Sequence, residues 1–291
     1  DHRDLHKEYR RQRQMCIRDR TRIVPQEELA FCDGRAKTVL KEAGFKVVYH
    51  MMPGLPGMTP ETDLRDFKRL FEEEDFQPDM LKLYPTLLVK GSPLARNPGD
   101  FVPYDTETAA NVVADLKEIV PPYVRIQRIQ RDIPKPQIIA GVMNSNLRQY
   151  ARKEMKRRGK KCQCINCREL WRAQIDPETA ELKEIEYKSS GGTEYFISYE
   201  SGTKLLAYLR LRLDDNATVR ELKVTGQAAN IGKTGSGVQH MGLGSKLMKI
   251  AEDKSKDYDK IRVTHGAGTR PVSYTHLRAH ETDSYLVCRL L

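Results

Sequence analysis

Apolar positions along the chain follow two periods in alternation. Residues 26–43 show helical spacing and stop at Gly44, and Phe45-Lys-Val-Val-Tyr-His50 is a β-prone run closed by the turn-forming Pro53-Gly-Leu-Pro-Gly57. Thr59-Pro60 opens a helix over 61–74, with Leu64, Phe67, Leu70 and Phe71 on one face. Residues 80–84 form the next strand, 106–119 another helix and 124–129 a third strand. Strands alternating with helices predict a parallel sheet or barrel, in which polar residues at the carboxyl ends of strands face the mouth. That places His50, Lys82, Arg128 and Arg131 near one rim. His50 and Lys82 are the candidates for chemistry there, against the simpler roles of a turn cap and a solvated lysine.

Beyond residue 185 the pattern changes. Tyr187, residues 194–199, 204–213 and 220–224 read as consecutive antiparallel strands, with turns at Gly191-Gly192 and Glu200-Ser-Gly202. Gln239-His-Met-Gly-Leu-Gly244 then runs into a helix with Leu247, Met248 and Ala251 on one face, and 260–264 is a further strand. Glycines at 242 and 244 let backbone approach a ligand, and a helix that starts there turns unpaired N–H groups and its positive dipole end outward. Such a start suits a pyrophosphate. An ordinary glycine turn before a helix is the simpler alternative.

Composition narrows the partners. The 291 residues suffice for one large or two ordinary domains, and no run of 18 apolar residues or signal-type apolar segment occurs. The net charge of +10 suits RNA or DNA, although lysine-rich helix faces also produce such a surplus. Three of the six cysteines lie in Cys162-Gln-Cys164-Ile-Asn-Cys167, directly after the basic stretch Lys156-Arg-Arg-Gly-Lys-Lys161. Clustered cysteines of this spacing argue for metal ligands over a disulfide framework. Three thiolates can wrap one zinc whose fourth ligand comes from elsewhere or from solvent, and an iron–sulfur cluster is the alternative. Residues 1–20 and 271–291 show no clear period and resemble translated sequencing-adapter read-through. On that reading Cys16, His276, His280 and Cys288 carry no function. The first tail has seven Lys/Arg against four Asp/Glu and the second two against two, so a surplus of +7 stays with the middle.

Three motifs in the first half are long enough to carry a family resemblance: Tyr49-His-Met-Met-Pro-Gly-Leu-Pro-Gly57, Asp79-Met-Leu-Lys-Leu-Tyr-Pro-Thr-Leu-Leu88 and Arg125-Ile-Gln-Arg-Ile-Gln-Arg-Asp-Ile-Pro134. With Gly141 to Arg148 they resemble the radical-SAM part of the Elongator catalytic subunit family. Arg220-Glu-Leu-Lys-Val224, the glycine loop and Gly266-Ala-Gly-Thr-Arg270 resemble its acetyltransferase part. The resemblance covers roughly 21–270. It implies an α/β chain: the C-terminal part of a radical-SAM, partial TIM-like barrel (21–158), a cysteine-rich metal-binding linker (159–185) and an incomplete GNAT α+β acetyltransferase domain (186–270).

Family members modify the wobble uridine of tRNA at C5 toward carboxymethyl-type products. They use acetyl-CoA and a radical derived from S-adenosylmethionine at a [4Fe–4S] cluster. Carried onto this sequence, Glu221, Leu222, Lys223 and Val224 would bind acetyl-CoA through backbone groups. Gln239, His240, Gly242, Leu243, Gly244, Ser245 and Lys246 would hold its pyrophosphate, with His240 a loop residue and not a base. Cys162, Cys164 and Cys167 would hold zinc or a similar metal. Arg128, Arg131, Arg152, Lys153, Lys156, Arg157, Arg158, Lys160 and Lys161 would meet tRNA, or form a solvated face. Expected partners are tRNA, a second copy of the chain or accessory Elongator-type subunits, in the cytoplasm and with no membrane.

The sequence departs from the family in three places. The C-x-x-x-C-x-x-C cluster motif expected before residue 21 is absent, and Cys32 has no neighbouring cysteines to replace it. After Arg270 the family's tyrosine-containing continuation gives way to Pro271 and the tail, and Thr225 stands where the family has tyrosine. A chain so truncated is expected to lack the uridine-modifying activity. Two rival readings remain: a lysine (histone) acetyltransferase, and a non-catalytic tRNA-binding scaffold.

Overall fold

A computed structural model describes residues 37–170, 175, 179–226 and 242–264, and the backbone of 280–282 and 285–289. Strands β1 (Val48–Met51), β2 (Met80–Leu83) and β4 (Arg125–Ile129) form a parallel sheet in the order β1-β2-β4. The helix Pro60–Glu72 starts at a reciprocal cap: Thr62 N donates to the Thr59 hydroxyl at 3.3 Å and Thr59 N to the Thr62 hydroxyl at 2.8 Å. Asp105 caps helix Thr106–Ile119 through Thr108 N at 2.7 Å. Phe67 and Leu70 of the first helix and Val113 and Leu116 of the second bury against Leu81, Leu83, Ile126 and Ile129. A small antiparallel pair, β3 (Leu88–Val89) and β5 (Ile138–Ala140), lies outside the expected elements.

Strand β4 does not keep a two-residue period, for a structural reason. Leu81 pairs with Ile126 but Lys82 pairs with Arg128, so Gln127 is the extra residue of a bulge. Ile126 and Ile129, three apart, consequently both face the helices, while Gln127 and Arg128 are both exposed on the opposite face.

The second sheet has seven strands in the order β11-β12-β10-β9-β8-β7-β6. Strands β6 (Glu181–Ser189), β7 (Gly192–Ser201), β8 (Lys204–Leu213) and β9 (Ala217–Val224) form an antiparallel meander, and β10 (Lys260–Val263) joins β9 in parallel. The β6–β7 hairpin turns on Ser190 and Gly191, both at positive φ, as the primed two-residue turns require. One face of the sheet carries Ile197, Ala207, Leu209, Leu211 and Val219 against Leu247, Met248 and Ala251 of helix Leu243–Lys254. Residues 271–291 show no clear period and resemble adapter read-through as a sequence. The backbones of β11 (His280–Thr282) and β12 (Tyr285–Arg289) extend the sheet, β12 pairing antiparallel with β10. An open strand edge offers unpaired N–H and C=O groups to any extended segment that reaches it.

The opposite face of the meander meets the amino-terminal edge of the parallel sheet. Arg210, Arg212 and Arg220 are at most 2% exposed, although the first two alternate with leucines as a solvated face would. Arg220 reaches Asp79 at 2.5 Å and Glu194 at 2.7 Å, and Arg210 joins Glu221 at 3.0 Å. Lys41 Nζ donates to Gln77 O at 2.8 Å and Ser189 Oγ at 2.7 Å. Tyr123 and Tyr187 stack across the seam with centroids 4.0 Å apart. Asp79, Phe45 and Tyr123 immediately precede or lie just before β2, β1 and β4, so the second sheet docks under the amino-terminal ends of the barrel strands. Burial alone would raise the Asp79 carboxyl, but Arg220, Lys41 and Arg210 hold it well below the usual carboxylate range.

Candidate functional site

Three features lie around this seam. The first is the open face of the barrel sheet. His50 pairs with Lys82 and Lys82 with Arg128, so three basic residues form one row across three strands, at a strand spacing of about 4.8 Å. The bulge at Gln127 brings Arg128 into that row. His50 is exposed with its ring edge-on to Tyr84, Lys82 is half-buried, and Arg128 pairs with Asp132. Above the row, Asp63 fastens the 53–57 loop: its Oδ2 accepts from Gly54 N at 2.7 Å and from the Tyr104 hydroxyl at 2.8 Å. Burial raises the Asp63 carboxyl despite these two bonds.

The second feature is the cysteine knuckle. The sulfurs of Cys162, Cys164 and Cys167 all lie within 4.8 Å of one another. Tetrahedral zinc at ~2.3 Å from each sulfur separates them by about 3.8 Å, so a slight closure suffices for three thiolates to hold one ion. No fourth His, Cys, Asp or Glu joins the group among the described residues. Hydrogen bonds from Cys162 and Cys164, with Lys117 and Arg148 nearby, draw the Cys167 thiol well below the usual range. The bonds that Cys162 makes to Cys164 and Cys167 push its own thiol up. A cation would release that remaining proton. The knuckle is also sewn to the barrel: Ile165 N donates to Val124 O at 3.0 Å and Arg168 to Pro122 O at 2.8 Å.

The third feature is a wedge between β9 and β10. Their pairing runs only from Ala217–Ile261 to Val219–Val263. At that point Leu211 pairs with Val219 but Arg210 with Glu221, so Arg220 is an extra residue that bends β9 away. The outer edge of 221–224 is left without a strand among the described residues. Helix Leu243–Lys254 begins over this edge from Gly242, which sits at φ 66°. A Cβ on Gly244 would lie 3.7 Å from Val224 and 4.0 Å from Leu222. Ser245 and Lys246 follow in the first turn, and Gln239 and His240 lie outside the described residues. Thr225 is buried, and its hydroxyl donates to Leu205 O at 2.6 Å, tying the end of β9 to β8.

The basic residues divide into two groups. Arg131, Arg152, Lys153, Lys156, Arg157, Lys160 and Lys161 are exposed, with Arg157 held by Glu154. Arg158 has a structural engagement: it joins helix Leu147–Arg157 to helix Thr106–Ile119 through Asp115, Glu118 and Asn111. Sequence reasoning missed Glu169 and Arg125, which bridge barrel, knuckle and wedge. Arg125 reaches both oxygens of Glu169, at 2.8 and 2.5 Å, and Lys223 of β9 reaches the same carboxylate at 2.8 Å. No local period could reveal partners 44 and 54 residues apart.

Fold and sites together define a two-part α/β protein, a three-stranded parallel sheet docked on a mixed sheet, with a cysteine knuckle tied to both. Residues 78–157 match the family described as the Radical_SAM C-terminal domain. The chain is 42% identical over 277 residues to the tRNA uridine(34) acetyltransferase of Methanocaldococcus jannaschii, covering 87% of this chain and 51% of that protein. It is 38% identical over 257 residues to Elongator complex protein 3 of Saccharomyces cerevisiae, covering 80% and 46%. The solved structure of the archaeal Methanocaldococcus infernus Elp3 with N-terminus deletion (1-46) superposes with a TM-score of 0.80 at 40% identity, covering 87% of this chain and 65% of that one. Over most of its length the chain is therefore similar to tRNA uridine(34) acetyltransferases and Elongator complex protein 3. It spans about half the length of the curated relatives it matches.

Proposed function

We propose that this chain carries the acetyl-CoA seat and part of the barrel of an enzyme that modifies the wobble uridine of tRNA at C5. The observation that carries the reading is the wedge. A bulged, one-sided strand end at 221–224 faces a helix start with glycines at 242 and 244, the geometry that backbone N–H groups need to hold a pantetheine and pyrophosphate. On this reading the arrangement is of the GNAT type, and the chain's own part in the chemistry is to bind and orient the acyl donor there. When bound, acetyl-CoA would supply the acetyl group. The radical would come from S-adenosylmethionine at a [4Fe–4S] cluster, but the C-x-x-x-C-x-x-C motif that holds such a cluster is absent from this sequence, so no step is assigned to it here. The lumen row of His50, Lys82 and Arg128 presents positive charge on the face toward which a radical-SAM barrel directs its substrate. Exposed lysines and arginines at 152–161 offer phosphate contacts for tRNA. Zinc fits the knuckle as a structural ion, with iron–sulfur as the alternative that visible absorption and metal analysis separate.

No helix among the described residues is long and apolar enough to cross a membrane. A tRNA substrate places the enzyme in the cytoplasm, with a second copy or Elongator-type subunits as companions. The test is acetyl-CoA hydrolysis by the purified chain with and without tRNA, beside acetylation of a histone-tail peptide. Stimulation by tRNA supports the reading. Peptide acetylation without RNA would replace it by a lysine acetyltransferase, and tRNA binding with no acetyl-CoA affinity by a scaffold.

A further inference from the structure

Glu169 joins strand β4, the knuckle and the wedge. It follows the one-turn helix Ile165–Arg168, two residues after Cys167, and is only 7% exposed. Its backbone is fixed from both sides: Glu169 N donates to Ile165 O at 2.9 Å within the knuckle, and the residue makes a parallel bridge with Leu205 of β8. Its carboxylate takes Arg125 of β4 in a two-pronged pair and Lys223 of β9 through one oxygen. Lys223 lies beyond the Arg220 bulge, on the strand end that has β8 on one side and no strand on the other among the described residues. That end is held by its β8 pairing, by Thr225 on Leu205 and Leu206, and by Glu169. Glu221 at the start of that end is also held by Arg210 and Lys46. The ties nearer its tip, at Thr225 and Lys223, run to β8 main chain at Leu205 and Leu206 and to Glu169, of which the knuckle reaches Leu205 and Glu169.

We propose that Glu169 is a positioning residue that transmits the state of the cysteine knuckle to the coenzyme-binding end of β9, so that a metal ion at Cys162, Cys164 and Cys167 raises the affinity for acetyl-CoA at a distance. This rests on the coenzyme seat proposed above. When the three sulfurs converge on an ion, the turn 162–169 has one shape. The Glu169 carboxylate then stands where Arg125 and Lys223 both reach it, and the edge 221–224 is preordered for the coenzyme backbone. Without the ion the turn is free to relax, and the ordering of that edge must be paid for when the coenzyme binds. The coupling is reciprocal: bound acetyl-CoA tightens metal retention by the same factor.

The test is calorimetric titration of the full chain with acetyl-CoA, metal-loaded and after chelation, for wild type, Glu169→Gln and Lys223→Met. The loaded wild type binds, and chelation weakens it by roughly fivefold or more, within the usual range of coupling between sites. Loaded Glu169→Gln, with unchanged metal content, shows the same loss, and chelation costs it nothing further. Lys223→Met, at a position 44% exposed, tests the same link should Glu169→Gln fail to fold. Losses from chelation and from either variant that multiply independently overturn the proposal. So does wild-type affinity in a loaded Glu169 variant. A loaded wild-type chain that binds no acetyl-CoA at all overturns the coenzyme seat itself.

Discussion

Replacing Asp79 by Asn tests the seam most severely. Asp79 is fully buried between the barrel and the mixed sheet. Its Oδ2 accepts from Val47 N at 2.8 Å and from Arg220 at 2.5 Å, and its Oδ1 from Arg220 at 3.1 Å and Arg210 at 3.4 Å. Asparagine keeps the volume but removes the charge, and its NH2 group faces guanidinium donors wherever it turns. Arg210 and Arg220 keep Glu221 and Glu194, so the buried cations are weakened and not stripped. Breaking one partner of a buried ion pair costs about 3–5 kcal/mol, against a total of about 5–15 kcal/mol for a folded chain. At about 2–4 °C per kcal/mol, the melting temperature should fall by roughly 10 °C. Scanning calorimetry of the full chain checks this, with the exposed Asp100→Asn as control, expected within about 0.5 kcal/mol of wild type.

The pH dependence gives a second reading of the same residue. A carboxyl held low in the folded state stabilises above its ordinary pKa near ~4 and loses that contribution as pH falls toward the folded value. Wild type should therefore lose stability on acidification from about pH 5 downward, and Asp79→Asn should lose less over the same range. A variant that melts within about 2 °C of wild type, or an unchanged acid limb, would refute the idea that this cluster welds the two sheets.

Other expectations follow from single contacts. A Cβ at Gly192 would lie 2.6 Å from Arg212 Cζ, and that guanidinium is held by Ser189 O, Ser190 O and Asp214. Gly192→Ala should accordingly cost about 1–3 kcal/mol in a denaturant titration. Lys37 is buried with Glu74 O as its acceptor, and burial brings its ammonium down to about 7. The unfolded chain keeps that proton until roughly pH 10, so wild-type stability should climb between about pH 7 and 10 and Lys37→Met should flatten the climb. Paired Lys153→Glu and Lys156→Glu substitutions should weaken tRNA binding and lower its salt slope by about 1 per lost phosphate contact; an unchanged slope removes this helix from the interface. Arg158→Ala should act differently, lowering stability through the loss of Asp115, Glu118 and Asn111 while leaving the slope in place.

Much of the architecture is legible in local pattern. Helix 106–119 lies where its apolar spacing puts it, as do the β6–β7 and β7–β8 turns and the helix after Gly242. Local steric and capping preferences act over a few residues, and these segments keep them. The cysteine spacing likewise sufficed to bring three sulfurs together. The polar face of β8 misleads: Leu-Arg-Leu-Arg-Leu213 reads as one buried face and one wet face, yet both are buried, because Asp79, Glu194 and Glu221 arrive from elsewhere in the chain to neutralise the arginines.

What the sequence determined by itself is the order of the elements, the apolar faces they bury and the residue types at each site, since these depend on periods of two and 3.6 within one segment. Only the tertiary structure decided which polar residues meet. The extra residues at Gln127 and Arg220 change the facing of every side chain after them, and neither bulge leaves a mark on composition. Those two backbone irregularities align His50, Lys82 and Arg128, open the wedge between β9 and β10, and leave Lys223 within reach of Glu169. Register is settled by the neighbouring strand, so it could be read only once the neighbours were in place.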